Sequence, residues 1–264
     1  MKNILVPVGS SKNAKSHLQY AVDFAKEFNA KLFIVQVYNV YTKAGTMIKV
    51  DHILERESKE YLNGLVSKID TKDVEVIVKV LKGKLVDTLE LFCNAADIDL
   101  ILVEPKTTSE KDEVFLGETS GKIVKQMQIP TLIIPEKYIF KPISRILFAV
   151  KSAIIKKESA LKPLIDIKEQ FKAIVNLLLV KTIYYNEGDF DVNDALKNAV
   201  DSITKTENAT TFQGVLEHYK SNDPDMLCVV RRKRGFFTKK WEKNTILKKD
   251  FQSPRPVLVL GGLK

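Results

Sequence analysis

The sequence predicts an α/β protein of two repeated domains, each a parallel sheet with helices on both faces. Three observations predict it. Short apolar runs alternate with segments whose apolar residues recur at helical spacing, which is the pattern of βα units. That pattern pauses near Lys141-Pro142 and begins again, so that Ile146-Leu147-Phe148-Ala149-Val150 stands 142 residues after Ile4-Leu5-Val6-Pro7-Val8. Apolar residues make up 45% of the 264, enough for a real core and contrary to disorder.

The elements follow in order. Lys2 to Val8 is a short β-branched run ended by Gly9-Ser10-Ser11 and reads as a buried strand. Leu18, Ala21, Val22, Ala25 and Phe28 then give one apolar helix face. Lys31 to Tyr38 is a second strand, about Ile48 to Ile69 a long helix, and Val74 to Leu81 a third strand. After the Lys82-Gly83-Lys84 turn, Val86, Leu89, Leu91, Phe92 and Ala96 mark another helix. Leu100 to Val103 and Thr131 to Ile134 complete five strands, with a helix from about Thr119 to Met127 between them. Right-handed crossovers place the helices on both faces of a parallel sheet.

The second copy repeats this order in fewer residues. Leu32 to Val37 matches Ile174 to Leu179 at the same offset of 142, whereas Asp97-Ile98-Asp99 matches Asp223-Pro224-Asp225, and Pro130 matches Pro256, at an offset of 126. The shortening falls in the middle, around the second and third helices. The domains are therefore residues 1–140 and 141–264, each of ordinary size. The joint from Glu136 to Pro142 has neither Gly nor Ser, so the two are expected to be tightly coupled.

Composition narrows the class. The opening MKNILVPVGSSKNAK carries an apolar run too short for a signal peptide, and no stretch approaches the ~20 apolar residues of a membrane span. Two cysteines, Cys93 and Cys228, sit among apolar neighbours and read as buried small hydrophobes. The expectation is a soluble protein of a reducing cytoplasm. A net charge of +9 raises the question of an anionic partner.

Some stretches are more telling together than singly: NILVPV at the start, DIDLILV, FLGETSGKIV and IPTLIIP, then PDMLCVVRRKRGFF and RPVLVL in the second copy. In order, spacing and duplication they resemble the universal stress protein family in its tandem form, over nearly the whole chain. The resemblance implies an open five-stranded parallel sheet per domain, of the Rossmann-like, adenine nucleotide alpha hydrolase-like kind. It implies domains that pair through their last strands as a pseudo-dimer, further self-association, and a non-enzymatic role in the stress response.

Nucleotide-binding members carry Gly, two residues, Gly, nine residues, then Gly followed by Ser or Thr, with an Asp after the first strand. Glycines let backbone N–H groups approach phosphates without a Cβ in the way, and the helix N-terminus beyond donates to them. Anchored on Gly117, the first two glycine positions are Glu104 and Thr107, the residue after Gly117 is Glu118, and the Asp position is Gly9. Two unit charges about 4 Å apart repel by roughly 4 kcal/mol at an effective dielectric near 20, so Glu104 and Glu118 oppose a triphosphate. The preferred reading is a degenerate ATP motif with no cofactor. The alternative is an atypical site for ATP or AMP built from Pro7, Val8, Gly9, Val37, Val103, Thr107, Gly117, Thr119 and Ser120. The plain role of Thr119 and Ser120 is to cap the helix.

In the second copy the aligned positions are Val230, Lys233, Lys243 and Asn244, with Lys151 at the first-strand site, and no glycine remains. Arg231, Arg232, Lys233 and Arg234 open a basic run to Lys249 with Phe236, Phe237 and Trp241 interleaved. Such a run fits an anion or nucleic-acid surface, and equally a solvated loop whose aromatics pack beneath, which is the preferred reading. A third reading pairs this basic loop with the acids of the first copy's loop, Glu104, Glu110, Asp112 and Glu113. His17, His52 and His218 fit helix surfaces, and the paired aspartates at 97/99 and 223/225 fit turns at the amino edge. No metal-ligand spacing or acid/base constellation stands out.

Overall fold

A computed structural model describes residues 1–9, 11–39, 47–105, 113–155, 157–231, 246–248 and 251–261, without the side chains of 47–50. In the first half, strands β1 (Asn3–Pro7), β2 (Lys31–Tyr38), β3 (Val76–Lys82), β4 (Leu100–Val103) and β6 (Thr131–Ile133) alternate with helices α1 (Ala14–Glu27), α2 (Met47–Val66), α3 (Leu85–Ala95) and α4 (Glu118–Gln126). A three-residue strand, β5 (Val114–Leu116), lies in the loop before α4. The second half has β7 (Arg145–Val150), α5 (Lys162–Phe171), β8 (Ile174–Lys181), α6 (Asp194–Ala199), β9 (Ser202–Glu207), α7 (Thr211–Asn222), β10 (Met226–Val230), β11 (Ile246–Leu247) and β12 (Val257–Leu260).

Ten of these strands form one sheet in the order β3-β2-β1-β4-β6-β12-β10-β7-β8-β9. Every pairing within a half is parallel, and the one between halves, β6 with β12, is antiparallel. Its register sets Thr131 against Val259, Leu132 against Leu258 and Ile133 against Val257. Because residues 131–133 and 257–259 correspond in the repeat, the pairing is self-complementary about Leu132–Leu258. That is the signature of a two-fold relation, here built within one chain.

Side chains alternate across the sheet and fill two core layers. Ile4, Val6, Leu100, Leu102, Leu132 and Leu258 face α1, α2 and α5, whereas Leu5, Ile101, Val103, Ile133 and Val257 face α3, α4 and α7. On the first face Tyr20 and Phe24 of α1, with Phe28 just beyond its end, meet Phe140 of the connection and Phe171 of α5, with ring centroids 5.0–6.4 Å apart. This aromatic cluster joins the halves at the helix layer, as β6–β12 joins them in the sheet.

The aspartates do serve turns, and they do so twice in the same way. Asp97 and Asp223 take left-handed backbone, φ 46° and 36°. Two residues on, Asp99 accepts from the backbone N–H of Lys2 and Asn3, and Asp225 from those of Ser144 and Arg145, at 2.6–3.1 Å. Each carboxylate thus holds the amino end of the first strand of its own half. The second half's shortening falls on one helix: α6 has 6 residues where α2 has 20, while α7 with 12 matches α3 with 11. His17 corrects an expectation. It is buried, not on a helix surface, at 6% exposure.

Candidate functional site

In a parallel sheet, ligand sites form at the carboxyl edge, where loops leave the strands and helices begin. In the first half that edge is made by the ends of β1, β2 and β4 and the N-terminus of α4, and nearly every residue singled out in the sequence stands there. Pro7 closes β1, and the Val8 N–H donates to the Val35 carbonyl at 2.7 Å, so β1 stays paired to its end. Val37 is half-buried on β2, in register with Leu81. Val103 ends β4, 2% exposed, and its carbonyl accepts from the Ile134 N–H at 2.8 Å. Thr107 lies outside the described residues, as do Glu110 and Asp112.

Gly117 is the residue before α4, at φ −67° and ψ 176°, extended backbone that any residue adopts. The helix has no side-chain cap, which corrects the expected role of Thr119 and Ser120. Thr119 is exposed, and the buried Ser120 hydroxyl instead donates to the Glu104 carbonyl at 2.7 Å. Glu118 pairs with Lys122 at 2.7 Å on the helix surface. At the end of β1 the Tyr61 hydroxyl, reaching from α2, donates to the Gly9 carbonyl at 3.1 Å. Burial, and then the neighbouring Glu104 carboxylate, push that hydroxyl's pKa up. At the outer end, Asp51 accepts from the Tyr38 hydroxyl at 3.1 Å and from Lys82 at 2.7 Å. The hydroxyls of Ser120, Tyr61 and Tyr38 are satisfied by the chain itself.

The loop between β4 and α4 is also engaged. Residues Val114 to Leu116 pair antiparallel with Ile246 and Leu247 of the second half, and the Lys248 N–H donates to the Glu113 carbonyl at 2.7 Å. Phe115 packs on Phe251, and Phe251 on Phe212 of α7, with centroids 5.7 and 5.0 Å apart. The acidic and basic loops therefore meet, and among the described residues they meet through backbone and aromatic rings. A phosphate loop must present free N–H groups. This one has spent part of its length on a strand.

In the second half Lys151 is exposed at the end of β7, and Val230 ends β10. Arg231 turns back across the seam: its N–H donates to the Leu260 carbonyl at 3.0 Å and its guanidinium to the Gln128 side chain at 3.1 Å. Arg232, Lys233 and Arg234 lie outside the described residues. Cys93 and Cys228 are free and buried; burial pushes the Cys93 thiol up to about 12 and raises Cys228 well above its ordinary value, so neither is a nucleophile. Among the described residues no group of three or more His, Cys, Asp or Glu could hold a metal ion, and no helix is long and apolar enough to cross a membrane.

Sequence reasoning missed Tyr61 and Asp51. Tyr61 sits on the exposed face of a charged helix, and only the return of α2 over β1 brings it to Gly9.

Comparison with known proteins bears on the family and the fold. The model of the universal stress protein family matches residues 1–135. A universal stress protein of Methanocaldococcus jannaschii is 21% identical over 138 residues, 50% of this chain and 81% of that one. Among solved structures, a universal stress protein from Archaeoglobus fulgidus aligns with a TM-score of 0.68 at 16% identity, covering 98% of this chain and 96% of its own. A putative universal stress protein from Pseudomonas aeruginosa aligns with a TM-score of 0.58 at 14% identity, covering 98% and 93%. Both span the two halves together, which supports a shared two-half fold.

Proposed function

The chain belongs to the universal stress protein family, and from that premise we propose that it is a non-enzymatic stress-response module whose first half has given up the nucleotide cradle. The observation that carries this reading is the self-satisfied carboxyl edge. Ser120 gives its hydroxyl to the Glu104 carbonyl, and Tyr61 gives its own to the Gly9 carbonyl. Incoming phosphate or ribose would have to displace both. Displacing the part-buried Ser120 bond costs about 1–3 kcal/mol if its partner is left unpaired, whereas the Tyr61 bond is exposed and costs less. Glu104 adds repulsion toward a triphosphate, Glu118 less so because Lys122 pairs with it, and Val114 to Leu116 cannot wrap phosphates while paired with the other half.

Isothermal titration of the full chain with ATP, ADP and AMP, with and without magnesium, tests the proposal. The expected result is no saturable heat at micromolar nucleotide. Micromolar binding of any of the three overturns it and favours the atypical site around Pro7, Val8, Val37 and Gly117.

A further inference from the structure

The carboxyl edge of the second half differs in kind from that of the first. Along the sheet order β10-β7-β8-β9, adjacent parallel strands bring a cation to the same edge: Arg231 follows β10, Lys151 follows β7, Lys181 ends β8, and Lys205 lies near the end of β9. Three of the four stand beside an aromatic ring. The Lys151 ammonium is 5.8 Å from the Tyr184 ring centroid, Lys181 is 5.9 Å from Tyr185, and Lys205 is 5.9 Å from Phe190. Tyr185 and Phe190 meet edge to face at 5.0 Å, which fixes the cluster. Tyr184 is 70% exposed and its neighbour Ile183 82%, so a large apolar face stands in solvent.

Residues 1–140 hold 19 Lys and Arg against 19 Asp and Glu, whereas residues 141–264 hold 23 against 14, and eight of that excess of nine lie in residues 231–249, the run that follows β10. Acids are present nearby: Glu187, Asp189 and Asp191 in the loop, Asp194 at the start of α6, and Glu207, which pairs with Lys181 at 3.3 Å. That pair is exposed on both sides, the kind worth at most about 1 kcal/mol and readily exchanged for a phosphate. Neither Lys151 nor Lys205 has a carboxylate within ion-pair distance among the described residues. Helix N-termini facing a parallel sheet's carboxyl edge add positive potential. In the first half Lys82, at the end of β3, is instead paired with Asp51.

We propose that the carboxyl edge of the second half binds single-stranded nucleic acid, with Lys151, Lys181 and Lys205 contacting successive phosphates and Tyr184 stacking on a base. Cations in a row set beside accessible rings are what a single strand offers partners for: a charged backbone on one side and π-faces on the other. A double helix hides its base faces, and an acidic peptide has nothing to stack. The surface is separate from the first half's edge, so its success or failure is independent of nucleotide binding there.

The test is fluorescence anisotropy of labelled oligouridylate and oligothymidylate of about twelve nucleotides, titrated with the full chain between about 50 and 200 mM salt. The expected result is saturable binding whose log–log salt slope is about −2, three contacts at roughly 0.7 each. The triple variant Lys151→Gln/Lys181→Gln/Lys205→Gln should lose most of that slope. Tyr184→Ala should weaken binding about tenfold and leave the slope unchanged. Unaltered circular dichroism and thermal midpoints would show that these exposed changes leave the fold intact. No anisotropy change at low salt overturns the proposal. So does wild-type binding by the triple variant, binding indifferent to Tyr184→Ala, or equal competition by polyglutamate. Binding lost only on replacing Arg232, Lys233 and Arg234 overturns it too.

Discussion

His17 is the residue whose burial has the clearest consequence. It lies in the first turns of α1, 6% exposed, and neither ring nitrogen meets a hydrogen-bond partner in good geometry. Desolvation lowers its pKa to about 4, and the Leu102 backbone offsets only part of that. The folded protein therefore holds the neutral ring, while the unfolded chain takes up a proton near pH 6.5. Between those values the unfolded state binds more protons, so stability falls as pH falls through that window. The full difference is about 3 kcal/mol. Chemical denaturation from pH 7 to pH 4.5 should show this loss in the wild type and a shallower one in His17→Leu. Parallel curves for the two proteins would show that His17 does not carry it. The sequence gives no warning of this burial, because a histidine on an amphipathic helix reads as polar, and only the close seat of α1 on β4 makes it a core residue.

At the scale of elements, what could be read in advance and what could not divides by length and locality. Nine of the ten long-sheet strands are apolar runs, and α1 and α2 show helical spacing over many turns, so their own side chains announce them; β9, with Ile203 its only apolar residue, carries no such signal and is set by pairing with β8. The duplicated aspartates at 97/99 and 223/225 announce the turns for the same reason. β5 and β11 are three and two residues long and pair across about 130 positions, with Ile246 opposite Leu116. No periodicity exists over two residues, and their order comes from tertiary packing on Phe251. That ring touches Phe115 of one half and Phe212 of the other. Phe251→Ala should therefore loosen this ladder before it loosens the sheet. Hydrogen exchange should speed at Val114 to Leu116 and at Ile246 and Leu247, while β1 and β7 keep their protection. Unchanged exchange at the ladder would mean that backbone pairing alone holds it. The same distinction bears on the site. That Glu104 and Thr107 stand where the pattern has glycine, and Glu118 where it has Ser or Thr, is legible in the sequence. The chain's own occupation of that edge by Tyr61 and Ser120 is not, since both contacts join residues from separate elements.

For the whole molecule, the decisive fact is that the β6–β12 pairing is self-complementary about Leu132–Leu258. A strand related to its partner by a two-fold axis presents the same groups that it receives, so β6 could pair with a second β6 as it pairs with β12. In the intact chain this edge is covered, with Thr131, Leu132 and Ile133 at 2%, 0% and 2% exposure. Cutting the chain after Phe140 would uncover it, together with the aromatic face of Phe24 and Phe28 that Phe171 now covers. A fragment of residues 1–140 should then dimerise in the same antiparallel register, Leu132 opposite Leu132 and Thr131 opposite Ile133. Sedimentation velocity should find dimers, and Leu132→Lys should return monomers, because a desolvated ammonium at the axis meets its own copy. A soluble fragment that remains monomeric with its native β6 would show that the covalent connection, and not the strand's symmetry, makes the continuous sheet. The divergence of the halves would follow from that connection either way: once both partners lie in one chain, one can keep a closed, acid-lined edge and the other a basic, aromatic one, since each edge no longer has to serve in both positions.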